Sequence, residues 1–518
     1  MKPDSHIFSL DHDLSWDQLI ERLPGSVHRA LPREMVRNFY DSFDWRLYRA
    51  GTVLEEQRCG GESRLLWRPL GSGVPLHEGP GPVPRFARDC APQSLRHQIQ
   101  SVMGPRAFLA RLVLSSRIEL LQLGHGDGKT LVHVSLEENT VTSPQGGRGM
   151  GLCRRIQILA LQGHEDAGCR LAADVKSVLS LKGSTDDVMV EALRTVGERP
   201  GDYSSKIRIP LTRKTLTAEA LQAILLHLLH IMEANEAGVC NDTDPEFLHD
   251  FRVALRRTRA ALGQIKGVIP PKVLKRFRRE FAWLGAITGP TRDLDVYLLH
   301  YDADRLSLPA ELQDKLDPLH RHLLRQQQME QAKLARALKG ERYENLLREW
   351  RHFLESEAFG AGSVNGARPV EQTACERIWK VYRRTLKEGE AIDKDSPAEA
   401  LHELRKTCKK LRYLMEFFRS LFPADEIRRL IKALKGLQEN LGAFQDLQVQ
   451  SAFVCQVSEE MGRAEAEDPG TKAAMAILVE KLAADQQKAR NIFEKRFRRF
   501  ARPEHGRLFH KLFNQKMT

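Results

Sequence analysis

The stretch His249–Leu262, HDFRVALRRTRAAL, carries side chains whose types and spacing could hold an anion. His249, Arg252, Arg256 and Arg259 follow at steps of three, four and three, so they share one face of an α-helix. Phe251, Leu255 and Leu262 fall on a neighbouring face and can seat that helix in a core. A second copy lies 153 residues on, in His402–Met415, HELRKTCKKLRYLM. There His402, Arg405, Lys409 and Arg412 repeat the cationic face, and Leu404, Leu411 and Met415 repeat the apolar one. Guanidinium groups make two-pronged contacts to phosphate or carboxylate oxygens, and ammonium groups act as point charges.

The competing explanation is a solvated face balanced by carboxylates one turn away. Such partners are scarce. From His249 to Arg279 ten Lys/Arg stand against one acid, Asp250, and from His402 to Lys435 ten stand against four. Like charges one turn apart cost a helix roughly 0.2–0.5 kcal/mol per pair. A cost carried in two copies points to an anionic partner. An anion near His249 or His402 would favour their charged form; the alternative for each is a core residue that fixes helix packing.

Helical elements must position these faces, and the start signals are present. Asp244-Pro245 supplies an N-cap and a first-turn proline, and Ser396-Pro397-Ala398-Glu399 supplies the same with a capping-box glutamate. The repeat continues: Lys275, Arg276, Arg279, Leu284, Gly289, Asp293 and Val296 recur as Arg428, Arg429, Lys432, Leu437, Gly442, Asp446 and Val449. Helices are expected throughout 217–518, among them Asp293–Leu299, Ala424–Leu441 and Asp446–Met461, with GAGSVNGAR (Gly360–Arg368) as a flexible linker. Asp293 and Asp446 are expected to start helices after turns at Gly289 and Gly442, and either to cap them or to form an internal salt bridge. A repeat of this length predicts two bundles packed as pseudo-symmetric halves, about 217–360 and 370–518.

The totals set bounds. A chain of 518 residues with 42% apolar and 29% charged side chains needs more than one core. A net charge of +12 and a pI of about 9.3 favour polyanionic partners. The eight cysteines show no CxxC spacing, which fits a reducing cytosol and neither a zinc module nor a disulfide scaffold. No signal region or membrane span is read, so the protein is expected in the cytoplasm, off the membrane.

Residues 1–205 read differently. Short helices are expected at Trp16–Arg22 and Arg33–Val36, then strands at Thr52–Gln57, Arg64–Arg68, Arg117–Leu123, Leu131–Glu137 and Arg155–Leu161, and helices at Val175–Leu181 and Asp187–Val196. Gly71–Pro84 is a Gly/Pro-rich loop. GHGDGKT (Gly124–Thr130) is close to a phosphate-binding loop, but Leu123 stands where its first glycine belongs and a strand pattern follows. It reads as a hairpin turn.

Two family resemblances follow. HDFRVALRRTR (His249–Arg259), LGAITGPTRDLDV (Leu284–Val296), HELRKTCKKLRY (His402–Tyr413) and LQENLGAFQDLQV (Leu437–Val449) resemble the CHAD family of histidine-bearing α-helical domains. That resemblance implies two four-helix bundles related by a pseudo-twofold, a basic groove or pore, and binding of inorganic polyphosphate at polyphosphate granules. FYDSFDWRLYRAGTVLEEQ (Phe39–Gln57), with SRLLWRPL (Ser63–Leu70), Arg117–Val141 and Arg154–Glu165, resembles the CYTH family of triphosphate tunnel barrels, at Tyr40, Asp41, Leu47, Ala50 and Gly51 in particular. That family opens on an ExExK strand whose carboxylates hold a divalent metal. No ExExK occurs in the first 60 residues, and LEEQ (Leu54–Gln57) puts carboxylates where the family has cations. Glu55 and Glu56 point to opposite strand faces, so at most one enters a tunnel.

The expectation is therefore a multidomain chain. Residues 1–205 form an α+β, antiparallel, barrel-like CYTH-like domain, 206–216 a linker, and 217–518 an all-α CHAD-like domain. The expected phosphate contacts are His249, Arg252, Arg256, Arg257, Arg259, Lys275, Arg276, Arg279, Arg292, His402, Arg405, Lys406, Lys409, Arg412, Arg428, Arg429 and Lys432. No catalytic residue, metal or cofactor is assigned. The partner is inorganic polyphosphate. The alternatives are a Mg²⁺-dependent triphosphate hydrolase of CYTH type and a nucleic-acid binder.

Overall fold

A computed structural model describes residues 5–10, 16–21, 26–124, 130–144, 146–161, 163–178, 186–464 and 468–514. The chain divides into two compact units, Met1–Ser204 and Ser205–Thr518.

The first unit is a ten-stranded antiparallel sheet with helices packed on it. Its strands are β1 (Ser5–Leu10), β2 (Ser26–Arg29), β3 (Arg33–Asp41), β4 (Thr52–Cys59), β5 (Glu62–Pro69), β6 (His77–Pro80), β7 (Leu109–Gly124), β8 (Thr130–Thr142), β9 (Met150–Gly151) and β10 (Arg154–Ala160). They run in the order β1-β10-β8-β7-β3-β4-β5-β6, with β2 on β7 and β9 on β8. Among the described residues no pairing joins β1 to β6, so the sheet is not a closed barrel. The helices are α1 (Trp16–Ile20), α2 (Arg46–Arg49), α3 (Gln93–Met103), α4 (Glu165–Val178) and α5 (Val188–Thr195). Arg33–Val36, expected as helix, is the start of β3. Its side chains go from exposed to alternately buried along the strand, and cross-strand pairing with β7 overrides a weak local helix preference. β7 and β8 pair out to Gly124↔Thr130, as a hairpin requires; the expected turn residues 125–129 lie outside the described residues, as do 179–185 at the end of the helix expected at Val175–Leu181.

Strand alternation decides what lies inside this sheet. Leu54 packs outward beneath α3 with Leu65 and Trp67, whereas Glu55 turns inward and is buried. Arg37 donates to Glu55 at 3.0 Å and also faces Glu137 at 3.5 Å; Arg68 joins Glu55 at 3.4 Å. Arg68 also grips Asp187, which in turn caps α5 by accepting from Met189 N at 2.9 Å and Gly71 N at 2.9 Å. Burial pushes the Asp187 carboxyl up, but the Arg68 guanidinium and these N–H groups outweigh it and hold it at about 2. Glu56, on the other face, accepts from Tyr40, Arg58 and Ser63. Asp41 is structural as well. It accepts from the backbone of Ser42, Leu47 and Tyr48 and fixes the turn from β3 into α2, which ends at Gly51 with φ +71°.

The second unit is helical: α6 (Thr217–Cys240), α7 (Pro245–Gln264), α8 (Pro271–Ile287), α9 (Gly289–Leu306), α10 (Ala310–Gln313), α11 (Asp317–Leu338) and α12 (Glu341–Glu355), then α13 (Val370–Glu390), α14 (Ala398–Phe417), α15 (Ala424–Ala464), α16 (Pro469–Phe500) and α17 (Pro503–Phe513). The order repeats. α6 and α7 answer to α13 and α14, α8 with α9 to α15, α11 to α16, and α12 to α17. In each half a bundle is built on the first two helices, and an outer hairpin extends from it. The two hairpins pack together, Leu294, Tyr297 and Leu323 against Val454, Val457 and Leu478.

Three expectations are corrected here. Residues 424–464 form one helix rather than two, because the position equivalent to Pro290 is Ala443 and Gly442 stays within the helix. Asp446 therefore lies in mid-helix and forms the internal salt bridge, to Arg405 at 3.1 Å, rather than a cap; Asp293 likewise lies inside α9, which starts at Gly289. Residues 360–368 are not a loose linker: Asn365 N donates to Gly267 O at 3.0 Å, Asn365 Nδ2 to Lys266 O at 2.8 Å, and Thr217 N to Arg368 O at 2.8 Å. Residues 206–216 are likewise tied to the helical unit, Leu211 N donating to Ser420 Oγ at 3.1 Å and Ser420 Oγ to Ile209 O at 2.8 Å.

Asp187→Ala strips Arg68 of one of its two carboxylate partners, Glu55 remaining, and takes the cap from α5 and the acceptor from Gly71 N. Removing one partner from a buried ion-pair network costs about 3 kcal/mol. Hydrogen exchange of the full chain should show β4 and β5 amides losing protection by that amount; unchanged protection would contradict the role given to this network. Because the folded carboxyl lies below its ordinary range, its contribution is present above about pH 4 and fades as pH falls towards about 2.

Candidate anion-binding site

The two cationic faces meet. α7 packs on α14, and α9 and α15 flank them, so residues from both halves line one cavity of about 410 Å³. Its lining includes His249, Arg252 and Arg256 from α7, Arg292 and Asp293 from α9, His402, Arg405 and Lys409 from α14, and Gln445 and Asp446 from α15. The α7 register follows from its cap: Asp244 accepts from Glu246 N at 2.9 Å, and Phe247, Phe251, Leu255 and Leu262 are buried, which turns the cationic face towards the cavity.

Internal hydrogen bonds fix several of these groups in place. Arg252 donates to Thr288 Oγ1 at 2.8 Å and Gly285 O at 3.2 Å; Arg292 donates to Pro245 O at 3.2 Å. All three acceptors are neutral, and the nearby acids Asp293 and Asp295 offset the guanidinium charges only in part. Arg405 is the exception, reaching Asp446 at 3.1 Å. The Nε atoms of Arg252, Arg256 and Arg405 are buried without a hydrogen-bond acceptor in the protein. Electrostatics reflects this crowding. Burial first, and then Arg256, pulls Arg252 down to about 10. Burial first, and then Arg405 and Arg256, pulls the Lys409 ammonium down to about 7. Arg292 is lowered chiefly by burial.

The histidines are anchored differently. Arg292 Nη2 lies 3.1 Å from His249 Nδ1. A guanidinium only donates, so Nδ1 accepts and the proton of the neutral ring sits on Nε2. Burial and Arg292 hold His249 below its ordinary range. His402 Nδ1 lies 2.6 Å from Gln445 Oε1, an acceptor, so here Nδ1 carries the proton. Gln445 was missed as a site residue in the sequence. The signal was available, since Gln445 occupies the position of Arg292 in the second copy.

Other expected contacts are placed elsewhere. Arg257 is buried in an ion pair with Glu416 at 2.8 Å and donates to Ser205 O at 2.8 Å. Being adjacent to Arg256, it points some 100° round the helix, on the side of the core. Arg412 pairs with Glu416 at 3.0 Å and with Gln438 at 3.0 Å. Arg259 is exposed beside Gly285 on α8. Lys406 pairs with Glu403, Arg276 with Glu349, Arg279 with Glu280 at 3.1 Å, Arg428 with Asp425 at 3.3 Å and Arg429 with Glu504 at 2.9 Å. Lys275 and Lys432 are exposed, away from the cavity lining. The structure thus gathers His249, Arg252, Arg256, Arg292, His402, Arg405 and Lys409 and leaves the other ten outside.

The cavity in the first unit behaves in the opposite way. It measures about 130 Å³ and is lined by Arg37, Arg68 and Arg155 together with Glu55, Glu137 and Asp187. Arg155 pairs with Glu191, and the other charges are consumed in the network described above. The inward carboxylates are engaged by arginines, and among the described residues no group of three His, Cys, Asp or Glu side chains is placed to hold a metal ion. This interior does not fit a Mg²⁺-triphosphate.

Lys409 gives the helical cavity a pH signature. Its charged form is the destabilised one, so the penalty on folding is complete below about pH 7 and disappears as pH rises towards the ordinary 10.5. An anion beside it restores the proton. Tripolyphosphate binding above pH 7 should take up a proton and weaken by up to about one decade per pH unit. Calorimetry in buffers of different ionisation heat measures the uptake. Lys409→Arg, with its permanent charge, should abolish that component, and an identical pH profile in wild type and variant would refute it.

No curated protein matches the chain. Among solved structures, the chain is similar to the crystal structure of the CHAD domain from the plant Ricinus communis, at 25% identity over 56% of this chain and 96% of that one, with a TM-score of 0.46. It is also similar to PptA from Streptomyces chartreusis, at 17% identity over 55% and 100%, TM-score 0.41. A putative adenylate cyclase from Bacillus halodurans matches at 7% identity over 36% and 94%, TM-score 0.25. These three are loose likenesses. Residues 223–455 match the model of the CHAD domain family, a range that holds both histidine-headed helices.

Proposed function

We propose that the helical unit binds inorganic polyphosphate and attaches the protein to polyphosphate granules, without catalysing a reaction. One observation carries this reading: five cations and two histidines from two copies of one motif converge on a single cavity. Among the described residues, only Asp293 and Asp446 oppose them there. Polyphosphate offers about one charge per phosphate and no base edges to read. Repeated cations with buried, unused N–H groups suit it, and a hydrogen-bond code is unnecessary. The pseudo-symmetric approach of α7 and α14 suits a linear polymer with contacts from both sides. The hydrolase alternative loses support from the self-paired interior of the sheet unit. No observation favours nucleic acid over polyphosphate.

Arg256→Glu with Lys409→Glu should lower affinity for long-chain polyphosphate by at least about a hundredfold at near-physiological salt. The slope of log K against log salt should become shallower by about 0.7 for each phosphate that the variant no longer neutralises. Arg276→Glu with Arg429→Glu, outside the cavity, should change affinity little. In cells, a fluorescent fusion of the cavity variant should leave the granules. Equal losses in both variants, or duplex DNA competing as well as polyphosphate, would sink the proposal.

A further inference from the structure

The cationic cavity does not end at Asp293 and Asp446. A second, larger cleft of about 730 Å³ continues from it along α9, α11 and α15, and Asp293, Tyr297 and Val449 line both. Its chemistry is different. Phe453 is partly exposed and stacks on buried Tyr297, with centroids 4.4 Å apart and planes 20° apart. Tyr297 backs Phe453, which lines the cleft with part of its ring exposed. Around it stand His322, Gln326 and Gln456, which both donate and accept hydrogen bonds, and Glu460, which accepts.

Three chemistries therefore lie in sequence along one groove. Cations come first, then a carboxylate pair, then an aromatic ring edged with amides. We propose that this groove takes nucleoside polyphosphates: phosphates among Arg252, Arg256, Arg405 and Lys409, ribose hydroxyls donating to Asp293 and Asp446, and the base stacked on Phe453. The proposal rests on the anion-binding reading of the cationic cavity and extends it. Each part answers a specific chemical need. Carboxylates at the boundary repel further phosphates but accept from a sugar diol, so they mark where the phosphate chain stops. Bases stack on aromatic faces whatever their identity, and amide side chains can meet either donors or acceptors on their edges. An acyl phosphate would also offer an anionic head and an apolar tail. Its chain would strip water from His322, Gln326, Gln456 and Glu460 and return no hydrogen bonds, which disfavours it.

The test compares ATP with inorganic tripolyphosphate on the full chain, by calorimetry in magnesium-free buffer. ATP carries the same number of phosphorus atoms and less negative charge, so electrostatics alone favours tripolyphosphate. The groove predicts the reverse, with ATP tighter by about tenfold, a typical contribution of one stacked base. Phe453→Leu should erase that advantage and leave tripolyphosphate binding unchanged, and Phe453→Trp should keep it. The wild-type comparison needs no variant to fold. ATP equal to or weaker than tripolyphosphate, or a long-chain acyl phosphate tighter than ATP, overturns the proposal. If tripolyphosphate and polyphosphate bind through Arg256 while ATP gains nothing, only this inference falls. If none of them binds, the anion-binding reading falls with it.

Discussion

Like charges held close together against water are the constraint on which the helical unit turns. Arg252, Arg256, Arg405 and Lys409 stand around one half-buried cavity, and their neighbours are mostly backbone carbonyls, a threonine hydroxyl and each other. A fold gains nothing from such a gathering by itself. Burial of an incompletely offset guanidinium or ammonium costs on the order of several kcal/mol, and the lowered values at Arg252 and Lys409 register that cost. The apolar faces behind the cations, with Phe251, Leu255, Leu404 and Leu411 fully buried, hold the arrangement together. An incoming anion relieves the repulsion that the fold sustains.

Much of this was legible in the sequence, because a helical period and an offset of 153 residues are both one-dimensional signals. The two faces, their caps and the pairing of His249 with His402 follow from them. The repeat alone does not separate cations that enter the cavity from those that pass beside it. Arg256 and Arg257 are adjacent in sequence and differ by one step round the helix; the first lines the cavity and the second is locked to Glu416. Arg276, Arg279, Arg428 and Arg429 find carboxylates, some of them on distant stretches such as Glu349 and Glu504, and no local window contains those partners. Gly442 misled for a related reason. A glycine marks a turn only when its neighbour enforces one, and the first copy has Pro290 where the second has Ala443.

The sheet unit shows the converse outcome from similar ingredients. Arginines again point into an interior, yet each meets an acid: Arg37 and Arg68 share Glu55, Arg68 also holds Asp187, and Arg155 holds Glu191. The parity of β4 was legible, and it sends Glu55 inward and Glu56 outward as alternation requires. Asp187 was not legible as a partner, because it lies 119 residues from Arg68. Once that pairing forms, the interior arginines are matched by carboxylates. Charge that in the helical unit is left for a ligand is here spent within the fold.

Pseudo-symmetry also breaks where it matters for binding. In the first half Arg292 faces His249, and Asp295 stands behind Arg292, buried and pushed up to about 7 chiefly by desolvation. In the second half glutamines occupy both equivalent positions, Gln445 and Gln448. The substitution removes one cation together with one carboxyl group and changes how charge is distributed around the shell. The consequence is carried by the rings. His249, accepting at Nδ1, presents an Nε2–H that can donate to an anion as it stands. His402, donating from Nδ1 to Gln445, presents Nε2 as an acceptor and so offers an anion no N–H on that side. The two ends of the cavity are therefore unlike in chemistry although alike in fold, and a ligand with unlike ends has a physical reason to lie in one direction along it.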